Sequence, residues 1–244
     1  MKSVEPISIS GVKREARALY HDHFKTAIKI NIIPIITTVL ATLATGILVY
    51  SIFTNLSATV DVPVDNTDTG LTQIYSILRS ILSDAVQLLF LWTASWTLID
   101  WYESPKDTPS LKDSFQLFRR GNVWHTFLLA IVQNMLLFLW TLLFFIPGIV
   151  KGFSYSQTYF AYKIDIENHT RQPQLTDYIT VSRRIMAGRK WELFLLELSF
   201  IGWHLLGILT AGLAYIYVVP YLNATRVAYS RHLFTLAMTE SVAK

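Results

Sequence analysis

From Val123 to Ile146 no side chain carries a formal charge, His125 being taken as neutral. A helix needs about 20 largely apolar residues to cross a hydrocarbon core of about 30 Å, so this run commits the chain to a membrane before anything else is considered. Three other stretches meet the same requirement: Ile30 to Phe53 without a charge, Tyr75 to Ile99 with Arg79 and Asp84 near its start, and Leu193 to Leu213 with Glu197. Two shorter and more polar stretches, Ile149 to Ile164 and Ala214 to Tyr229, follow across tight breaks at Pro147-Gly148 and near Gly212. Pro lacks the backbone N–H and Gly tolerates positive φ, so both breaks suit turns between antiparallel helices. Charged residues make up 16% of the chain, against about 25% in soluble domains.

Orientation follows from the cations, because Lys and Arg collect on the cytoplasmic side. Lys2, Lys13, Arg14, Arg17, Lys25 and Lys29 precede the first span; Lys106, Lys112, Arg119 and Arg120 fall in the 101–122 loop; a third basic group runs from Lys163 to Lys190. These segments share a side. The 54–73 loop holds Asp61, Asp65 and Asp68 but no cation, and the Pro147 break has only Lys151 nearby, so both belong outside. The expected fold is therefore an all-α membrane protein, one polytopic domain over 1–244. Its six transmembrane helices form three helical hairpins at about 30–99, 123–164 and 193–229, with both termini cytoplasmic. A continuous helix over 123–164 is the rival, and it would carry the basic 163–190 segment outside. The first apolar run lies well inside the chain and reads as an anchor, not as a cleaved leader.

The chain also resembles itself. "RRGNVWHTFLL" at 119–129 matches "RRIMAGRKWELFLL" at 183–196 with a three-residue insertion at Ile185-Met186-Ala187, and "SYSQTYFAY" at 154–162 parallels "PYLNATRVAY" at 220–229. Each hairpin follows a stretch with apolar residues at three-and-four spacing and basic residues opposite, at about 10–24, 110–120 and 175–187. Such helices suit the inner interface, where Arg119, Arg120, Arg183 and Arg184 would meet anionic headgroups. The alternative is packing beneath the bundle.

Chemistry is sparse. Cysteine is absent, which removes disulfides and thiolate chemistry. There is no HExxH, no phosphate-binding Gly-rich loop, and Gly152-Phe-Ser154-Tyr-Ser156 fails the nucleophile-elbow pattern at its last position. No catalytic residue, cofactor or metal site is expected. The net charge of +4 is partitioned by membrane side, so nucleic acid is not expected either. Asp84, Gln87, Asn134 and His204 are the candidate lining of a polar cavity, since polar groups within spans mark pathways or bind neighbouring helices. The internal repeat isolates one more pair. Glu197 lies six residues past Trp191, about 9 Å at 1.5 Å per residue, and Arg226 falls at similar depth on the returning helix. The matching positions of the preceding unit, Ala130 and Tyr159 or Phe160, are both uncharged, as mutual compensation of Glu197 and Arg226 requires.

Three stretches, "SGVKREARALYHDHF", "FFIPGIVKGFSYSQTYFAYKI" and "SRRIMAGRKWELFLLELSFIGWHLLGILTAGLAYIYVVPYLNATRVAYSRHLF", together with the six-span layout, resemble a bacterial family of integral membrane proteins known as domain of unknown function 975. The resemblance implies a Gram-positive cytoplasmic membrane and no established activity. His21-Asp22-His23-Phe24 departs from the Gly-Asn-Trp-like element expected at that point of the family pattern. The functional expectation is a non-enzymatic component that binds lipid or another membrane protein; the alternative is a small transporter or channel using a polar intramembrane cavity.

Because the chain has no cysteine, topology can be read without background. Single cysteines at Thr67 and Gly148 are expected to react with an impermeant maleimide in intact cells, and those at Ser110 and Gln172 are not. Reaction at Gln172 from outside overturns the six-span layout.

Overall fold

The computed structural model describes residues 6–58, 70–120, 123–170 and 172–242, and these form helices joined by turns and short loops, with no strand among them. Four segments are long and apolar enough to cross a membrane: Ile32–Asn55, Gly70–Glu103, Val123–Leu143 and Lys190–Leu209. The packing divides along the same lines. Ile47, Phe53, Leu78, Leu142, Ile146 and Leu209 are exposed, whereas Trp96, Trp101, Tyr162, Tyr178 and Tyr229 are fully buried. One part of the molecule thus wears an apolar skin, as lipid contact demands, and the other has a conventional core.

The elements run α1 (Ile9–Tyr20), α2 (Phe24–Ile30), α3 (Ile32–Ala58), α4 (Gly70–Glu103), a 3-10 turn at Asp113–Phe115, α5 (Gln116–Arg120), α6 (Val123–Leu143), α7 (Phe145–Tyr155), α8 (Thr158–Glu167), α9 (Leu175–Ile185), α10 (Lys190–Leu198), α11 (Ile201–Leu209) and α12 (Tyr215–Val242). The 54–73 loop with its aspartates lies largely outside the described residues.

The chain leaves α6 at Phe144, whose backbone is extended (φ −158°, ψ 139°), three residues before the expected break. Pro147 instead occupies the first turn of α7, where its missing N–H costs no intrahelical bond. Contacts then pair Thr141 with Gly148, Lys151 with the Trp140 ring and Thr126 with Tyr162, so the returning chain runs antiparallel to α6. Gly148 serves this close approach: a Cβ there would overlap Thr141 Oγ1 and lie 2.9 Å from Thr141 Cα. A continuous helix over 123–164 is excluded. Between α11 and α12, Ala211 and Gly212 have positive φ (50° and 95°), and Gly212 N–H donates to the Gly207 carbonyl at 2.8 Å. That is a glycine-dependent helix end.

Two further breaks have no proline or glycine: Ser156-Gln157 between α7 and α8, and Ser199-Phe200 between α10 and α11. Each receives a side chain from a different helix. Ser182 Oγ on α9 donates to the Ser154 carbonyl at 2.7 Å and accepts the Gln157 N–H at 3.0 Å. Lys13 Nζ on α1 donates to the Ser199 carbonyl at 3.2 Å and sits over the Phe200 ring. Burial holds the Lys13 ammonium below the usual lysine range, with Arg17 adding to the effect.

The amphipathic stretches are consequently spent on protein more than on a surface. α1 buries Val12, Ala16 and Tyr20, and runs antiparallel along α12: Tyr20 OH donates to the Pro220 carbonyl at 3.2 Å, and His232 Nε2 lies 2.8 Å from Glu15 Oε1. α9 buries Tyr178, Ile179 and Ser182 while Arg183 and Arg184 stay exposed. A single helix over 110–120 does not form; the segment gives only the 3-10 turn and the short α5. Threonines of α4 compete for its backbone, Thr97 Oγ1 donating to the Asp113 carbonyl at 2.7 Å and Thr93 Oγ1 accepting the Leu117 N–H at 3.3 Å.

Two outcomes follow. Replacing Ser182 by Ala removes both bonds at the α7–α8 break and is expected to cost about 2–3 kcal/mol, read as a lower unfolding midpoint in detergent; Ser182→Thr keeps the hydroxyl and should lose less. An unchanged midpoint for Ser182→Ala would show that the break is satisfied without it. For topology, Gly148 is too crowded to carry a cysteine, and exposed Ile146 is the better probe of the same turn. Labelling at Ile146 decides whether this turn reaches the outer face.

Candidate functional site

On α4, residues 84, 87, 88, 91 and 95 recur at three-and-four spacing and therefore share a face. On α12, residues 215, 219, 222, 223, 226 and 230 do the same. A cleft lies between these faces, closed at the sides by α6, by the α7–α8 break and by α10–α11. One cavity of about 460 Å³ is walled by Gln133, Ser156, Gln157 and Glu197 with Leu88, Leu91, Phe153 and Leu193. The adjoining cavity, about 370 Å³, brings Asp84, Gln87, Asn134 and His204 to one place beside Arg226. Leu88, Leu91, Asn223 and Arg226 wall both, so the cavities meet at Arg226. A groove of about 890 Å³ along the threonines of α3 continues from the second through Thr37, Thr38, Gln87 and Tyr215.

Glu197 and Arg226 face one another across the junction. Arg226 Nε donates to Glu197 Oε1 at 2.6 Å and Nη2 donates to Oε2 at 2.7 Å, the two-pronged geometry that a planar guanidinium and a carboxylate favour. Glu192, the competing acid, is engaged elsewhere: Arg189 Nη1 donates to it at 3.4 Å and Tyr229 OH at 3.3 Å. In the second cavity, His204 Nδ1 and Tyr215 OH are 3.4 Å apart, and Gln87 Nε2 donates to Ser83 Oγ at 3.4 Å. Gly207 makes room for the Tyr215 ring, whose Cζ would lie 2.5 Å from an added Cβ.

One polar chain behind the cleft has no counterpart in the sequence reading. Ser95 Oγ donates to Asn223 Oδ1 at 2.9 Å, Asn223 Nδ2 to Asn31 Oδ1 at 2.8 Å, and Asn31 Nδ2 to the Ala27 carbonyl at 2.9 Å. It ties α4, α12, α3 and α2 together. Its signal was the spacing of Asn223, Arg226 and Ser230 on α12. Gln157 was also missed, because it lies in a break that has no marker residue. Beyond Arg226 the cleft ends on a packed layer: Tyr159 OH and Ser230 Oγ are 3.0 Å apart, and the Phe160 and Phe234 rings stack with centroids at 4.4 Å.

The arginines expected at headgroups are placed separately. Arg183 and Arg184 are exposed on α9. Arg119 opens instead onto an acidic pocket of about 660 Å³ with Asp100, Glu103, Asp107, Asp113 and Glu167. The side chain of Arg120 lies outside the described residues. Buried Lys163 bridges Asp100 and Glu167, its Nζ 2.5 Å from each, so this cation is an interior ion-pair partner and not a loop charge.

Residues 153–237, which contain α8 to α11, most of α12 and both sides of the Glu197–Arg226 pair, match the model of a family described as Protein of unknown function (DUF975), the family that the sequence resembles. No curated protein and no solved structure matches the chain.

A lone charge placed deep in a membrane costs up to about 3 kcal/mol on insertion scales. Glu197→Ala or Arg226→Ala alone is therefore expected to lower the unfolding midpoint in detergent, and Glu197→Ala with Arg226→Leu to recover part of the loss. Simply additive damage in this cycle would show that the two charges do not stabilise one another.

Proposed function

We propose that this chain is a six-span protein of a bacterial cytoplasmic membrane, with both termini inside, that binds a membrane amphiphile in the cleft between α4 and α12 without transforming it. α7–α8 and α12 supply the two crossings beyond the four apolar segments. Protein surrounds them along much of their length, so they need little of the hydropathy that lipid contact demands. The three hairpins would then be α3–α4, α6 with α7–α8, and α10–α11 with α12. Exposed Arg183 and Arg184 suit anionic headgroups at the inner face.

The observation that carries the reading is that two cavities meeting at Arg226 set polar side chains, Gln133 and Gln157 in the one and Asp84, Gln87, Asn134 and His204 in the other, against the shared apolar wall of Leu88 and Leu91. An amphiphile supplies both an apolar and a polar part; a purely polar solute would leave the apolar walls wet. Transport is the second reading, favoured by the continuation of the cavities into the groove along α3. It would require the Tyr159–Ser230 layer to open, and binding requires no such step.

Native mass spectrometry of the protein released from bilayer nanodiscs tests the proposal. The wild type is expected to retain a lipid. Leu88→Trp, which fills a wall common to both cavities, should release it; Leu142→Trp on the exposed skin should not. Equal retention by both variants, or none by the wild type, sinks the proposal.

A further inference from the structure

The Gln133 cavity holds two groups that nothing in the protein uses. Gln133 and Gln157 are 6% and 2% exposed, and the Oε1 atom of each has no hydrogen-bond partner. Leaving a buried acceptor unpaired costs about 1–3 kcal/mol, so two carbonyls on separate helical segments walling one cavity call for donors from outside the chain. The other polar groups of the cavity are already engaged. Ser95 is bonded to Asn223, Tyr159 to Ser230, and Ser156 donates to the Phe153 carbonyl while accepting from Gln157 Nε2.

Charge narrows the chemistry further. Glu197 and Arg226 are the only ionised side chains among the described residues that wall the cavity, and they satisfy each other through two bonds. Their pairing leaves the cavity without net charge, so a phosphate or an ammonium would enter it unneutralised. A hydroxyl donates to a carbonyl without disturbing either. Leu88, Leu91, Ile149, Phe153 and Leu193 supply the apolar wall where an acyl chain would begin. The volume of about 460 Å³ lies in the range of ligand sites, about 300–1,000 Å³.

We infer that this cavity takes the uncharged, hydroxyl-bearing headgroup of a membrane amphiphile, Gln133 and Gln157 accepting its hydroxyl hydrogens. The inference rests on the amphiphile-binding reading above and adds the headgroup class. Two sources share the chemistry, an acylglycerol and a neutral glycolipid.

The test places the full chain in phosphatidylcholine nanodiscs doped equally with dioleoylglycerol, monoglucosyl dioleoylglycerol and phosphatidylglycerol, and reads the retained lipid by native mass spectrometry. One of the neutral hydroxylated lipids is expected to be held about tenfold over phosphatidylglycerol, the scale of one or two hydrogen bonds; which of the two is held identifies the source. Gln133→Leu and Gln157→Leu should each erase most of that preference while leaving phosphatidylglycerol retention unchanged. If either variant fails to fold, the wild-type competition decides alone. Equal retention of all three, as would follow if water satisfied the two carbonyls, overturns the inference, and so does a preference for phosphatidylglycerol. A charged lipid held by the wild type and released by Leu88→Trp would leave the amphiphile-binding reading standing; retention of no lipid overturns both.

Discussion

A helix that breaks inside a membrane exposes backbone N–H and C=O groups to a medium that cannot satisfy them. The α7–α8 and α10–α11 breaks, at Ser156-Gln157 and at Ser199-Phe200, contain no proline or glycine, and in each case a side chain from outside the broken helix makes good the loss. Much of the remaining architecture depends on that constraint. α9 is drawn against α7 and α8 because Ser182 must reach Ser154 and Gln157, and α1 is held near α10–α11 by Lys13. Placing α9 there also fixes the direction of Gln157, since the backbone N–H that meets Ser182 belongs to the residue whose side chain walls the cleft. The amphipathic helices are thus the means by which irregular membrane helices are tolerated.

The same constraint bears on the helices that hydropathy does not mark as crossings, four being marked among the described residues. α12 carries Asn223, Thr225, Arg226 and Ser230, and α8 carries Lys163 and Asp165, compositions that lipid contact would penalise. Yet Ala224, Val227, Ala228 and Tyr229 are wholly buried, and Lys163 is 2% exposed between two carboxylates. A helix ringed by others answers to polar complementarity and not to mean hydropathy. The two ion pairs at either end of α10 show this at close range. Arg189 and Glu192 pair locally, one turn apart, which leaves Glu197 for Arg226 on the neighbouring helix.

How far the letters carry depends on whether a feature is local. The long apolar helices, the turn at Gly212 and the grouping of Asp84, Gln87, Asn134 and His204 could be read because charge, glycine and depth along a span are properties of single positions. Glu197 and Arg226 could be singled out together because the repeat offered an uncharged copy for comparison. The turn was misplaced by three residues because Pro147 marks the beginning of a helix as readily as the end of one. The unmarked breaks were illegible: nothing in Ser156-Gln157 or Ser199-Phe200 announces them, and they persist only because Ser182 and Lys13 arrive from elsewhere. The Asn31–Asn223–Ser95 chain failed for the same reason, its members lying on three helices whose relative rotation no spacing rule supplies.

The breaks and the cleft are then two aspects of one arrangement. Ile149, Gly152, Phe153, Ser156 and Gln157 recur at three-and-four spacing, so α7 and the break present one face to the cavity, with Gln157 opposite the face of α12 that carries Arg226. Just beyond, regular packing resumes with Tyr159 on Ser230 and Phe160 on Phe234, and the cavity stops. The cavity therefore takes Gln157 and its closing layer from the two sides of one break, and its charge-neutral pair, Glu197 and Arg226, from α10 and α12.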